Sequence, residues 1–127
     1  MNQPIILLML LLVAGSGSGC IGTSPNSRMV TATIANSSTH ELNGVKLECA
    51  GHDLRAGILQ PGISATILNV PWPQSPGGKV LFIDYQTKKP YSVEISLLSI
   101  NEQVFAGKCR HVIIRILDYD KAQAECE

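Results

Sequence analysis

The chain has 127 residues, with ten Lys and Arg against ten Asp and Glu and a net charge of zero. One domain fits that length. The balanced charge excludes the basic field of a nucleic-acid binder, or of a protein drawn to an acidic membrane surface by charge alone.

The first element is the run IILLMLLLVA at residues 5–14. A spanning helix needs about 20 apolar residues, whereas about 7–15 suit the apolar stretch of a signal peptide. Small residues follow as GSGSGC, residues 15–20, and no charged side chain precedes Cys20. The segment resembles the lipobox of bacterial lipoproteins, with Ser18 and Gly19 matching the small residues before the Cys. Gly17 stands where an aliphatic residue is usual, and Asn2 and Gln3 bring no charge to the leading end. In that family the Cys thiol receives diacylglycerol and becomes the mature N-terminus. Cys20 is therefore the expected lipidation site, with plain secretion and a retained anchor as the alternatives. Ile21 follows the Cys, not the Asp that resembles an inner-membrane retention signal. The resemblance thus implies an outer-membrane anchor facing the periplasm. The expected organisation is a signal peptide over 1–19, the lipidated Cys and a polar tether over 20–28, and a folded domain over 29–127.

The folded part reads as β. Apolar and polar residues alternate over short runs, as in half-buried strands. Val30, Ala32 and Ile34 share a face, as do Val45, Leu47 and Cys49. Leu54, Ala56 and Ile58 follow, then Ile63, Ala65 and Ile67, and Tyr91, Val93, Ile95 and Leu97 form the cleanest stripe. The runs VLFI at 80–83 and VII at 112–114 are apolar on both faces, which predicts strands covered on both sides. Turn residues separate the runs: Asn43-Gly44, Pro61-Gly62, Gly77-Gly78 and the stretch Asp118 to Lys121. A helical turn is expected at 101–104 and nothing longer. About seven or eight strands at this spacing suggest an antiparallel β-sandwich.

Three cysteines remain in the body: Cys49, Cys109 and Cys126. An oxidising compartment favours one disulfide among them, and three pairings are possible. Cys49–Cys109 is the favoured one, with Cys49–Cys126 close behind. A Cys109–Cys126 link looks awkward, because a tight hairpin sets Cys126 opposite about Ile113. Cys49-x-x-His52 and Cys109-x-His111 supply zinc-type ligands, but without a knuckle spacing, so no metal and no cofactor are expected. Asp118 and Asp120 read as a turn rather than a calcium site. Asn36-Ser37-Ser38 matches a glycosylation pattern and reads better as a strand-end turn.

No nucleophile elbow or phosphate loop occurs, so the chain is not expected to be an enzyme. Pro71 and Pro73 stiffen a loop around Trp72. Trp72 is either a lid on the core or a presented binding anchor, since Trp is enriched at binding hot spots. Lys88, Lys89 and Tyr91 make a basic, aromatic corner with Tyr85 close in sequence. These five residues are the candidates for contact with a partner.

The stretches TIANSS, LNGV, AGILQPG, KVLFIDYQ, VEISL, VFAGK and VIIRILDYDKAQAEC together resemble a group of small bacterial lipoproteins. Members of that group resemble Ig-like sandwiches. Several kinds are encoded beside secreted toxic effectors, notably lipases of type VI secretion systems, and act as their immunity proteins. The resemblance implies an Ig-like fold, a membrane held through a lipid and a protein partner. The alternative expectation is an envelope structural or assembly lipoprotein with no toxin partner.

Overall fold

A computed structural model of the protein describes residues 28–49, 52–72 and 75–127. The expected signal peptide, Cys20, the tether up to residue 27 and Pro73 lie outside the described residues. Eight strands and one helix follow in order: β1 (Arg28–Asn36), β2 (Leu42–Cys49), β3 (His52–Leu59), β4 (Ser64–Trp72), β5 (Gly77–Asp84), β6 (Pro90–Ser96), α1 (Leu98–Phe105), β7 (His111–Asp118) and β8 (Lys121–Cys126). They form two four-stranded sheets, ordered β4-β1-β7-β8 and β3-β2-β5-β6. The inner faces of both sheets meet in one apolar core, so the fold is an all-β sandwich.

The period-2 stripes built that core. Val30, Ala32 and Ile34 from one sheet face Val45, Leu47, Val80 and Phe82 from the other, all 3% exposed or less. Burying each large aliphatic side chain contributes about 1.5–3 kcal/mol before ordering costs are counted. Val93, Ile95 and Leu97 are buried, while Tyr91 is half-buried.

Several expectations changed. The sandwich is not wholly antiparallel, because β1 and β7 run parallel, from Thr31 opposite His111 to Asn36 opposite Ile116. The cause is α1, which carries the chain from the end of β6 back so that β7 starts beside the start of β1. The expected turn at 101–104 is an eight-residue helix whose Ile100 and Val104, one turn apart, are buried. Gly107, at φ 76°, ends it in the left-handed region.

The second half of the β3 stripe is inverted. Gly57 has φ 78°, and the register between β2 and β3 shifts there. Such a bulge moves later side chains to the opposite face, so Leu59 is buried and Ile58 is exposed. β4 does the same at Asn69, with φ 57°: Ile67 packs at the core margin, and beyond the irregularity Val70 and Trp72 point inward. Ile63 is exposed. Of the two runs expected to be covered on both sides, only 112–114 is buried throughout. In β5, Val80 and Phe82 are buried but Ile83 is exposed, so the outer face of that sheet is open.

Among the described residues a disulfide joins Cys109 to Cys126, with Cα atoms 5.8 Å apart, in place of the expected Cys49–Cys109 or Cys49–Cys126 pairing. Two local facts bring the pair together. β8 sets Cys126 opposite Val112, one residue nearer to Cys109 than a tight hairpin suggested. Cys109 also precedes β7, in the turn after α1, where its amide and that of Lys108 both donate to the Gln103 carbonyl. Cys49 lies on the inner face of β2, 3% exposed.

Candidate functional site

The sandwich has a helix end and a loop end. Trp72 belongs to the first. It is fully buried, and its indole Nε1–H donates to Asn101 Oδ1 of α1 at 2.7 Å. Asn101 Nδ2 in turn donates to the Ser75 carbonyl. The indole therefore closes the core beneath α1 and presents nothing to a partner, so Trp72 leaves the set of contact residues. Tyr85 and Tyr91 are not beside it, because they lie at the far end of β5 and the near end of β6.

At the loop end the candidate site is built around the hairpin between β5 and β6. Asp84 organises the turn. Its Oδ2 accepts from the Thr87 amide and the Thr87 hydroxyl, both at 2.8 Å, and its Oδ1 accepts from the Tyr119 hydroxyl at 2.9 Å. Its backbone amide donates to the Lys89 carbonyl, and its carbonyl accepts from the Lys88 amide. Lys88 itself sits at φ 63°. The Thr87 donors hold the Asp84 carboxyl below the usual carboxylate range, against the opposing effect of burial. Burial first, and then the hydrogen bond to Asp84, pushes the Tyr119 phenol up to about 12.

This braced turn presents the basic, aromatic corner. Tyr85 is 44% exposed, and Lys88 Nζ lies 4.4 Å from the centre of its ring, a cation–π contact. Lys89 is exposed. Tyr91 is held from within, stacked at 4.3 Å on Tyr119 and at 5.7 Å on Phe82. Tyr119 stacks in turn on His40 at 4.1 Å. The four rings bridge the two sheets and fix the start of β6.

Next to the hairpin, the solvent face of the β3-β2-β5-β6 sheet carries a groove of about 520 Å³. Its walls include Lys46, Arg55, Leu81, Ile83, Pro90 and Tyr91. Two bulge glycines shape it, Gly44 at φ 59° and Gly57 at φ 78°, and a Cβ added at either would meet only open space. A second hollow of about 320 Å³ lies toward the helix end of the same sheet, lined by Glu48, Lys79, Glu94 and the backbone of Gly77 and Gly78.

Asn36, read from the sequence as part of a strand-end turn, is 1% exposed. Its Nδ2 donates to the carbonyls of His40 and Leu59, and its Oδ1 accepts from the amide and hydroxyl of Ser38. It knots the end of β1 to the end of β3, which is the strand-end turn read from Asn36-Ser37-Ser38. Its burial leaves no room for a glycan.

A hydroxyl–imidazole–carboxylate series does occur on the opposite sheet. Thr33 Oγ1 lies 2.7 Å from His111 Nε2, and His111 Nδ1 lies 2.6 Å from Glu127 Oε1. Thr33 is buried, its hydroxyl also contacts Thr66 Oγ1, and neither hollow reaches it. The series ties β1, β4 and β7 to Glu127. The Cys109 sulfur is committed to its disulfide, which removes it from any pairing with His111 as a metal ligand. No group of three or more His, Cys, Asp or Glu among the described residues is placed to hold a metal ion. Asp118 accepts from the Tyr119 amide, as a turn residue does.

No family model and no curated protein matches the chain. Among solved structures, an NMR structure of a protein from Eubacterium rectale is similar, with 13% identity over 83% of this chain and 94% of that chain and a TM-score of 0.47.

Proposed function

We propose that the protein is a lipid-anchored, periplasm-facing β-sandwich that binds another protein. In its sharper form it is an immunity protein that neutralises a type VI secretion effector by occupying the region of its active site. The observation that supports this reading is the rigid presentation of Tyr85, Lys88 and Lys89 on a turn braced by Asp84, beside an open groove on the same sheet. Loops carried on rigid sheets are where binding residues concentrate. Aromatic and cationic side chains that need not be ordered on binding retain more of their contact energy.

The test uses the product of the neighbouring gene. The expected result is co-purification of the two proteins and protection of cells from that product's toxicity, with Tyr85→Ser weakening both. Absence of binding together with absence of protection would sink the immunity form. The anchor is tested separately, by palmitate labelling of the wild type and of Cys20→Ser, with intact mass read alongside. Label lost in the variant, with a diacylglyceryl mass on Cys20, is the expected result. Equal labelling, or a disulfide between Cys20 and Cys49 in the mature protein, overturns it.

A further inference from the structure

The groove has a chemistry of its own. Its floor and one wall are apolar, from Leu81, Ile83, Pro90 and Tyr91, and the charged residues lining it are Lys46 and Arg55, both cations. A single carboxylate serves both: Asp53 Oδ2 lies 3.5 Å from Lys46 Nζ and 3.4 Å from Arg55 Nη2. The Arg55 side chain remains 77% exposed, so most of its five donors face solvent. At the hairpin side Lys88 and Lys89 add two more exposed cations, and the neighbouring acids are the buried Asp84 of the same turn and Glu41, whose carbonyl accepts from the Tyr85 amide. Counting Asp84 inside the turn that carries Lys88 and Lys89, four cations around the groove therefore stand against three carboxylates, and the two cations in its lining share one of these. The apolar surface also continues past the rim, through Ile83 at 40% and Ile58 at 58% exposure.

Resting on the protein-binding reading above, we propose that the groove receives an acidic-aromatic peptide segment of the partner. An aromatic side chain lies against Leu81, Ile83 and Pro90, and a flanking carboxylate pairs with Arg55 and Lys46. An apolar floor alone would accept many occupants; the excess of cations on its rim selects one bearing negative charge. A groove open on a sheet face suits a segment carried by a larger partner. A small amphiphile instead needs a site that encloses about 70–90% of its surface. The backbone makes the space: the bulges at Gly44 and Gly57 hold the chain where no side chain intrudes.

The experiment titrates blocked pentapeptides into the isotopically labelled full chain. The probes are Ac-Ser-Glu-Phe-Glu-Ser-NH2, its Lys-for-Glu and Ser-for-Phe analogues, and dodecanoate. Amide shifts at Gly44, Gly57, Leu81 and Ile83 with the acidic-aromatic peptide are expected, and at least about fivefold weaker binding of both analogues. Arg55→Glu, at an exposed position, should reverse the preference between the Glu and Lys peptides. Ile83→Lys should abolish the shifts with an unchanged melting temperature. Shifts elsewhere, no shifts, equal binding of the Lys peptide, or dodecanoate binding more tightly than any peptide each overturn the proposal. A partner that binds Arg55→Glu and Ile83→Lys as well as wild type, but fails with Tyr85→Ser, overturns the groove while leaving the protein-binding reading standing. Failure of wild type to bind the neighbouring gene product sinks that reading instead.

Discussion

The two ends of the sandwich close the same kind of opening by different chemistry. At the helix end, a fully buried indole sits under α1, and a disulfide ties the approach to β7 to the end of β8. At the loop end there is neither. Asn36 makes four side-chain hydrogen bonds, one to the Leu59 carbonyl of β3 and three within the turn after β1, and Asp84, Tyr119, His40 and Tyr91 link the sheets through a hydrogen bond and stacked rings. The first closure depends on apolar volume and covalent constraint. The second depends on groups that change charge, and it stands beside the candidate binding surface.

The largest expected effect is at the helix end. Trp72→Ala removes a buried indole and leaves the Asn101 acceptor without its donor, and should destabilise the fold by about 3–5 kcal/mol. Urea unfolding measures this, and a loss below about 1 kcal/mol would show that α1 closes the core without the indole. Next comes the disulfide. The linked residues are 17 apart in sequence, and chain-entropy arguments give about 3 kcal/mol for a loop of that size. Cys126→Ser should lower stability by that order, while peptide mapping without reductant should recover a 109–126 link. Recovery of a Cys49–Cys109 peptide instead would refute the helix-end closure.

At the loop end, Asn36→Ala strands two carbonyls and Ser38, and should cost about 2–3 kcal/mol. Asn36→Asp should be no better, because the carboxylate keeps the acceptor and loses both donors. The smallest effect is the most diagnostic. Asp84 has its carboxyl lowered in the fold from an ordinary value of 3.8, so its stabilisation is present above that value and is lost as pH falls through the lower, folded value. Tyr119 has the opposite sign. Its stabilisation is complete below the ordinary value of 10.0 and is lost as pH rises toward about 12. Tyr119→Phe should abolish the alkaline loss in thermal melts and soften the acid one. Trp72→Ala should shift the whole curve without changing its shape. Parallel curves for Tyr119→Phe and wild type at alkaline pH would break the contrast between the ends.

Much of the fold was legible because strand faces are local. A period of two places every other side chain on one side, and residues 30–34, 45–49 and 93–97 needed no partner to declare which side was apolar. The candidate binding corner was legible in part: Tyr85, Lys88 and Lys89 are exposed, but Tyr91 is wedged into a ring stack and Trp72 is enclosed. The groove was not legible. It depends on where bulges at Gly44 and Gly57 fall against neighbouring strands, and a Gly in a strand pattern does not announce its register. The turn at Asn36 was legible, but its link to the Leu59 carbonyl was not, because that partner comes from the end of another strand.

By itself, then, the amino-acid sequence determined most of the segments that became strands and the inward face of those without a bulge, matters of spacing within about ten residues, whereas Asn43-Gly44 and Gly77-Gly78, expected as turns, lie inside β2 and β5. Only the tertiary structure decided that β7 runs parallel to β1, that Cys109 meets Cys126, that Trp72 lies at the opposite end from Tyr85, and that Lys46 and Arg55 share one groove. Each of these is a pairing between distant segments, and one inserted residue in one strand is enough to change it.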